Sequence, residues 1–218
     1  MTGKRRDREP EGEPDFKFME QYMQNILKQS EAGLENLQRA DTSMTPVDVS
    51  RWMKFHLYDN GLFDINMGTK LDRTKMSELK PSVLFVGRGN TNNGIMGRVD
   101  SIPDITPYAA GNMTLALGGN LGACFIQPDE FYTSQNVAVL IPKWDMPFAV
   151  KQFIATMILK ESTTYYKAFV DELNRHIKTD FSIYLPATPT GEPDFKFMEQ
   201  YMRSILDEAS ATFDALLD

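Results

Sequence analysis

Apolar residues recur with two different periods along the chain, and the change of period divides it. Near each end the spacing alternates between three and four. One series is Phe16, Met19, Met23, Ile26, Ser30, Gly33 and Leu37; the other is Phe195, Met198, Met202, Ile205, Ala209, Thr212 and Leu216. A repeat of 3.5 residues is a heptad seam, so both segments are predicted as amphipathic helices. Ser30 and Gly33 weaken the first seam, and Leu27 and Leu34 offer an adjacent stripe. Pro14 and Pro193 suit a first helical turn. Their neighbours Glu13, Asp15, Glu192 and Asp194 suit the positive end of the helix dipole.

Between the helices the pattern shortens. Trp52–Leu57 alternates as a strand would, and Gly61–Ile65 begins another short element. Val83-Leu84-Phe85-Val86 is an unbroken apolar run, predicted as a buried strand that opens into the polar, glycine-rich loop Gly87–Gly94. Met113–Leu117 and Ala123–Ile126 flank Gly118-Gly119-Asn120-Leu121-Gly122, which predicts a hairpin. Val137–Ile141 reads as a strand closed by Pro142, and Ile183–Pro186 as a short edge strand. Pro147–Lys160 has helical periodicity, and Tyr165–His176 is predicted as a second, less regular helical segment. The expected fold is α+β: one mixed α/β domain over 46–186, preceded by a tail and helix over 1–45 and followed by a helix over 187–218, both helices coiled-coil-like.

The two end helices are also a repeat. Gly12–Met23 and Gly191–Met202 both read GEPDFKFMEQYM, 179 residues apart and identical at 12 positions. Over the next seven residues, QNILKQS against RSILDEA, the copies diverge but keep the pair Ile26-Leu27, matching Ile205-Leu206. Identity includes positions a helix leaves in solvent, Lys17/Lys196 and Glu20/Glu199, which core packing does not require to match. The helices could pair with each other, with a second copy of the chain, or with one partner surface used twice. Two surface helices packed on the body are the plainer alternative.

Composition narrows the classes. The 218 residues, 42% hydrophobic and 24% charged, suit one or two soluble domains. No stretch reaches the roughly 18 apolar residues of a membrane span. Met1–Glu13 has no apolar core for a secretory signal, so a cytoplasmic protein is expected. Cys124 is the single cysteine, and His56 and His176 are the only histidines, which excludes a disulfide and disfavours a metal site. Net charge is −7, but it sits at the ends: 46–186 holds 14 basic and 14 acidic residues. Within it, Lys70–Arg98 gathers Lys70, Arg73, Lys75, Lys80, Arg88 and Arg98 against Asp72 and Glu78. Such a stretch can meet phosphate or can simply be a solvated surface.

Catalytic patterns are wanting. After Gly87-Arg88-Gly89 the next glycine is Gly94, so the G-x-G-x-x-G spacing of a dinucleotide site fails, and no helix pattern follows. Pro14-Asp15 and Pro193-Asp194 sit on predicted helix starts, without the Glu-x-Lys of a metal-dependent nuclease. There is no G-x-S-x-G elbow. Cys124 lies in an apolar strand and reads as a small core residue. Asn90, Asn92, Asn93, Asn112, Asn120 and Asn136 fall on polar or glycine-rich loops near Arg88 and Arg98. Asn can bond adenine and Arg guanine in the major groove, while Asn and Gly equally serve left-handed turns.

Several phrases in order carry a resemblance. They are Trp52…Phe55 with Leu62-Phe63-Asp64-Ile65, Asn92–Gly97, Gly111–Leu115, Phe131–Val137, and Ile183–Pro186 leading into Gly191–Phe195…Met198. Over about Trp52–Leu217 the chain resembles the DNA-specificity (S) subunits of type I and type IIB restriction–modification systems. That resemblance implies that the middle domain is a target recognition domain reading one half of a bipartite site in double-stranded DNA. It implies that the repeat helices are spacers that dock methyltransferase subunits, with restriction subunits as further partners. It implies no catalysis and no cofactor in this chain, S-adenosylmethionine belonging to the methyltransferase partner. A complete S subunit carries two recognition domains, whereas this chain carries one between two spacer helices. A homodimer of half-subunits would restore the missing half. A decoy that binds methyltransferase subunits without productive DNA recognition is the competing class.

Residue chemistry selects Arg88, Asn90, Asn92, Asn93, Arg98 and Asn120 as expected DNA-reading residues, with Lys70, Arg73 and Lys75 for phosphate. Phe16, Met19, Tyr22 and Met23, with Phe195, Met198, Tyr201 and Met202, are the expected partner or dimer contacts.

Overall fold

The computed structural model describes residues 16–28, 47–58, 62–166 and 173–217. Among them the strands are β1 (Trp52–His56), β2 (Phe63–Asn66), β3 (Val83–Val86), β4 (Ile95–Val99), β5 (Met113–Ala116), β6 (Cys124–Ile126), β7 (Phe131–Thr133), β8 (Val137–Pro142) and β9 (Ser182–Pro186). The helices are α1 (16–28), α2 (Phe148–Tyr165), α3 (Leu173–His176) and α4 (Phe195–Leu217). Two compact units result: one of residues 47–206, the other of the residues before 47 together with those from Asp207 onward.

In the 47–206 unit the alternating stretch Trp52–Leu57 supplies β1, although burial alternates cleanly only from Lys54 to Leu57. Phe63 and Ile65 of β2 are buried while Asp64 and Asn66 face solvent. β2, β8, β5 and β6 form an antiparallel sheet in that order. The predicted hairpin is β5–β6, with Met113 opposite Ile126 and Leu115 opposite Cys124. The continuous run of β3 has a different cause: both its faces are covered. Val83 and Phe85 pack with Val99 and Tyr132 on one side. Leu84 and Val86 pack with Phe131 and Val139 on the other. β3 pairs antiparallel with β4 and parallel with β7. Neither β4 nor β7 was expected. Ile95-Met96-Gly97-Arg98-Val99 is interrupted by glycine, and β7 is three residues long, too short for a period to show.

The largest core lies between the four-stranded sheet, the β1–β9 pair and α2, with Leu115, Leu140, Phe153, Ile154, Phe181 and Leu185 among its members. β1 and β9 pair antiparallel from Trp52↔Pro186 to His56↔Ser182, which brings the start and end of the domain side by side. The Ser182 hydroxyl lies 3.1 Å from His56 Nδ1 across this pair. Helix α2 begins where expected after Pro147 and runs on to Tyr165, past the Lys160 that apolar spacing suggested. Of the expected helix 165–176, Leu173–His176 is helical; residues 167–172 lie outside the described residues.

The hairpin loop is locked against α2 by one glycine. Gly122 has φ +82°, and a Cβ there would lie 2.4 Å from the Ser162 Cβ. Ser162 is fully buried, so it cannot yield. Gly122→Ala is expected to destabilise the unit by about 1–3 kcal/mol, from left-handed strain plus overpacking, as a lower urea midpoint at unchanged slope.

Helix α4 starts two residues later than a proline at its first helical position would put it. Asp194 is the cap, its Oδ1 accepting from the Phe197 amide at 2.9 Å, and Pro193 precedes the cap instead of entering the first turn. The first seam positions pack on the domain: Met198 is wholly buried, and Phe195, Tyr201 and Met202 are partly buried against the same core. The Phe195 and Trp144 rings stand 5.0 Å apart, those of Tyr201 and Phe153 6.1 Å. Ala209 is exposed. No described helix is long and apolar enough to cross a membrane.

In the other unit, α1 is exposed along its length. Phe16 is 72% exposed, Met19 55%, Tyr22 57% and Met23 53%. Phe18 and Tyr22 stack at 6.1 Å. Residues 1–15 and 29–46, which include Pro14, Asp15, Ser30, Gly33, Leu34 and Leu37, lie outside the described residues.

Candidate nucleic-acid interface

The polar loop 87–94 joins β3 to β4 and is shaped by backbone that few residues adopt. Asn92 (φ 49°), Asn93 (φ 53°) and Gly94 (φ 71°) are three consecutive left-handed residues. Asn and Gly tolerate that region best, since a short polar side chain or none at all avoids the Cβ clash. The Gly87 amide closes the loop on Gly94 O at 2.8 Å. A register shift between Phe85 and Val86 at its base re-aims the strand end. The 118–127 hairpin holds the loop from the side. Asn120 Nδ2 donates to Arg88 O at 3.0 Å, and Gln127 Nε2 to Asn93 O at 3.0 Å.

The three arginines of the basic stretch have different partners. Arg98 donates to Ser82 O at 2.6 Å and to Asp129 Oδ2 at 2.7 Å. That contact, with the Glu130 amide, holds the Asp129 carboxyl below the ordinary aspartate range. Arg73 pairs with Glu78 and stacks over the Phe85 ring at 5.8 Å. It lies so close to Gly97 that a Cβ there would meet its guanidinium at 2.9 Å. Arg88 is exposed, and among the described residues no carboxylate pairs with it. Its five donors are therefore available for a base edge or a phosphate.

Arg88 and Arg73 line one cleft of about 540 Å³ with Asp72, Met96, Ser134 and Gln135. Asn90 faces elsewhere: with Asn120 it lines a recess of about 390 Å³ beside Leu159 and Thr163 of α2, and with Asn93 a third of about 500 Å³ that reaches Gln152. The loop thus spreads its side chains over two sides. Lys70 and Lys75 are exposed, Lys70 in a left-handed conformation (φ 55°) and Lys75 at the end of the 3-10 turn Arg73–Lys75. Part of the asparagine chemistry serves turns: Asn92 Nδ2 donates to Ile95 O at 3.2 Å, and Asn112 Nδ2 to Ala109 O at 3.1 Å.

Some residues of the site escaped sequence reasoning. Gln127 and Thr114 are buried polar side chains behind the loop. Met96, Ser134 and Gln135 enter the cleft only because β4 and β7 flank β3. The signal that could have pointed to Gln127 is a long amide directly after the apolar strand Ala123–Ile126. Cys124 is buried in β6 and packs in the main core, and burial pushes its thiol far above the usual range.

A family model for the Type I restriction modification DNA specificity domain matches residues 50–211. The type II restriction enzyme BgcI specificity subunit S.BcgI of Heyndrickxia coagulans is 26% identical over 193 residues, 87% of this chain and 54% of that protein. The fold is similar to the HsdS subunit of Thermoanaerobacter tengcongensis, with TM-score 0.54 at 13% identity over 91% of this chain and 50% of that one. It is also similar to the type I restriction–modification S subunit of M. genitalium, with TM-score 0.52 at 12% identity over 92% and 57%. The chain spans about half the length of these relatives.

Proposed function

We infer the function from one premise: this chain belongs to the Type I restriction modification DNA specificity domain family. The chain is a non-catalytic subunit that binds double-stranded DNA in a sequence-specific way and directs methyltransferase subunits, and with them restriction subunits, to the site. The observation that carries this reading is the unpaired Arg88 on a loop of fixed backbone, within a domain whose fold is that of the solved S subunits. Arg88 reads base edges together with Asn90, Asn93 and Asn120. Lys70, Lys75 and the partly neutralised Arg73 contact phosphate, and Arg98 holds the β3–β4 edge to the segment before β7.

Two such chains form the working unit. The described residues between the two repeat helices form one mixed α/β domain, and the same helical peptide stands on each side of it. A two-fold axis would place two identical domains on DNA, and the site read would be an interrupted palindrome. The exposed apolar face of α1 supports this reading. Phe16, Met19, Tyr22 and Met23 are exposed, and the same peptide in α4 packs on protein. In the assembly, α1 and the outer part of α4 form the spacer against which methyltransferase subunits dock.

The test is co-expression with the methyltransferase subunit and genome-wide mapping of modified bases by long-read sequencing. The expected result is a new interrupted palindrome, with a light-scattering mass of two chains for the free protein. An asymmetric bipartite motif would remove the homodimer. An assembled complex that adds no modification would remove the specificity role.

A further inference from the structure

The core side chain closest to the loop in hydrogen-bonding terms is Gln127, and packing alone does not account for it. It is 1% exposed. Its backbone is tied on both sides, its amide to Asn112 O at 2.9 Å and its carbonyl to the Gly111 amide at 2.8 Å. Its side-chain nitrogen donates twice, to Asn93 O at 3.0 Å and to Thr114 Oγ1 at 2.8 Å. A carbonyl only accepts, so the nitrogen and not the oxygen must face Asn93. The oxygen, Oε1, is buried and finds no donor among the described residues. An apolar side chain of the same length would fill this space without an orphaned acceptor. What it would not do is hold Asn93.

We propose that Gln127 is a positioning residue for sequence recognition: from inside the core it holds the left-handed run Asn92-Asn93-Gly94 and thereby sets where the 87–94 loop presents its side chains. The proposal rests on the reading of that loop as the base-reading element. Asn92 and Asn93 have a lower-energy right-handed alternative; the loop's own Gly87–Gly94 and Asn92–Ile95 bonds oppose it, but none of them holds the Asn93 carbonyl. Gln127 supplies that contact at one end of the loop, and Asn120 supplies a second at Arg88 O on the other. Both come from the 118–127 segment, which thus braces the loop at two points. A loop released from this conformation pays an ordering cost on its own site and can meet variant sites in its other conformations, so the preferred site loses more than its variants do.

The test uses the full chain bound to its methyltransferase subunit and a random-sequence duplex DNA pool, with bound duplexes sequenced. Gln127→Met and Arg88→Ala are compared with the unaltered chain. Gln127→Met is expected to lower enrichment of the preferred site over its single-base variants about tenfold, with the salt dependence of binding unchanged. A purely structural role would lower thermal stability yet leave the base preferences of the folded protein as they were, which would overturn the proposal. Should Gln127→Met fail to fold, Thr114→Val keeps the glutamine but removes the hydroxyl that fixes its amide. The same flattening to a smaller degree is then expected, and unaltered base preferences again overturn the proposal. If Arg88→Ala flattens the preferences and neither core variant does, the loop reads DNA and Gln127 does not position it. If the unaltered chain selects no sequence at all, the DNA-reading role itself fails, and the proposal with it.

Discussion

Replacing Arg88 with alanine is expected to cost about 1–3 kcal/mol of discrimination at one base pair of the recognised site, roughly a tenfold to hundredfold loss of preference. The basis is the partition of charge in the basic stretch. Arg73 and Arg98 each spend their guanidinium on a carboxylate, Glu78 and Asp129, while Arg88 stands exposed at the mouth of the cleft. Its backbone is held by Asn120, so the side chain starts from a fixed point. A bidentate contact depends on the planar fork and not on charge alone, so Arg88→Lys should lose most of the same discrimination. Competition binding against duplexes that differ at single base pairs measures this directly. Equal weakening on every sequence, with a salt slope reduced by about 0.9, would make Arg88 a phosphate contact instead.

The sequence made several strands legible, because short apolar runs and glycine turns are local signals. β2 and the β5–β6 hairpin lie where Leu62–Ile65 and Gly118–Gly122 put them. β4 and β7 were hidden because their stability is borrowed from β3, which they flank. The cleft is a consequence of that three-stranded arrangement, so Met96, Ser134 and Gln135 could not be assigned to it beforehand. Loop 87–94 was legible as a loop, and its asparagines as turn formers or base readers. The distinction among the arginines was not, since Glu78 and Asp129 lie 5 and 31 residues from their partners. No period relates residues that far apart. The role of Gln127 was hidden for a similar reason: its partner Asn93 is 34 residues away, so only its place after an apolar strand could draw attention to it.

The repeat sets the sharpest limit on reading structure from sequence, and it gives the second large effect. Met19 and Met198 occupy the same place in the same twelve-residue peptide, yet Met198 is wholly buried and Met19 is 55% exposed. Local propensity cannot separate them; what differs is the surface each helix meets. Met198→Ala is expected to lower stability by about 2–5 kcal/mol, because it opens a cavity in a core shared with α2 and the sheets. Met19→Ala should fall within about 0.5 kcal/mol by urea unfolding at dilution, the range of exposed positions. The order should reverse for association. If α1 forms the homodimer contact, Met19→Ala together with Met23→Ala shifts the light-scattering mass toward one chain at micromolar concentration, while Met198→Ala affects mass only as it unfolds the domain. Equal costs for the two single substitutions would mean that α1 packs on protein as α4 does. An unchanged dimer mass in the Met19→Ala, Met23→Ala variant would take the dimer contact away from α1. The identical peptide would then serve one purpose at the C-terminal side, domain packing, and another at the N-terminal side, docking of the methyltransferase subunit.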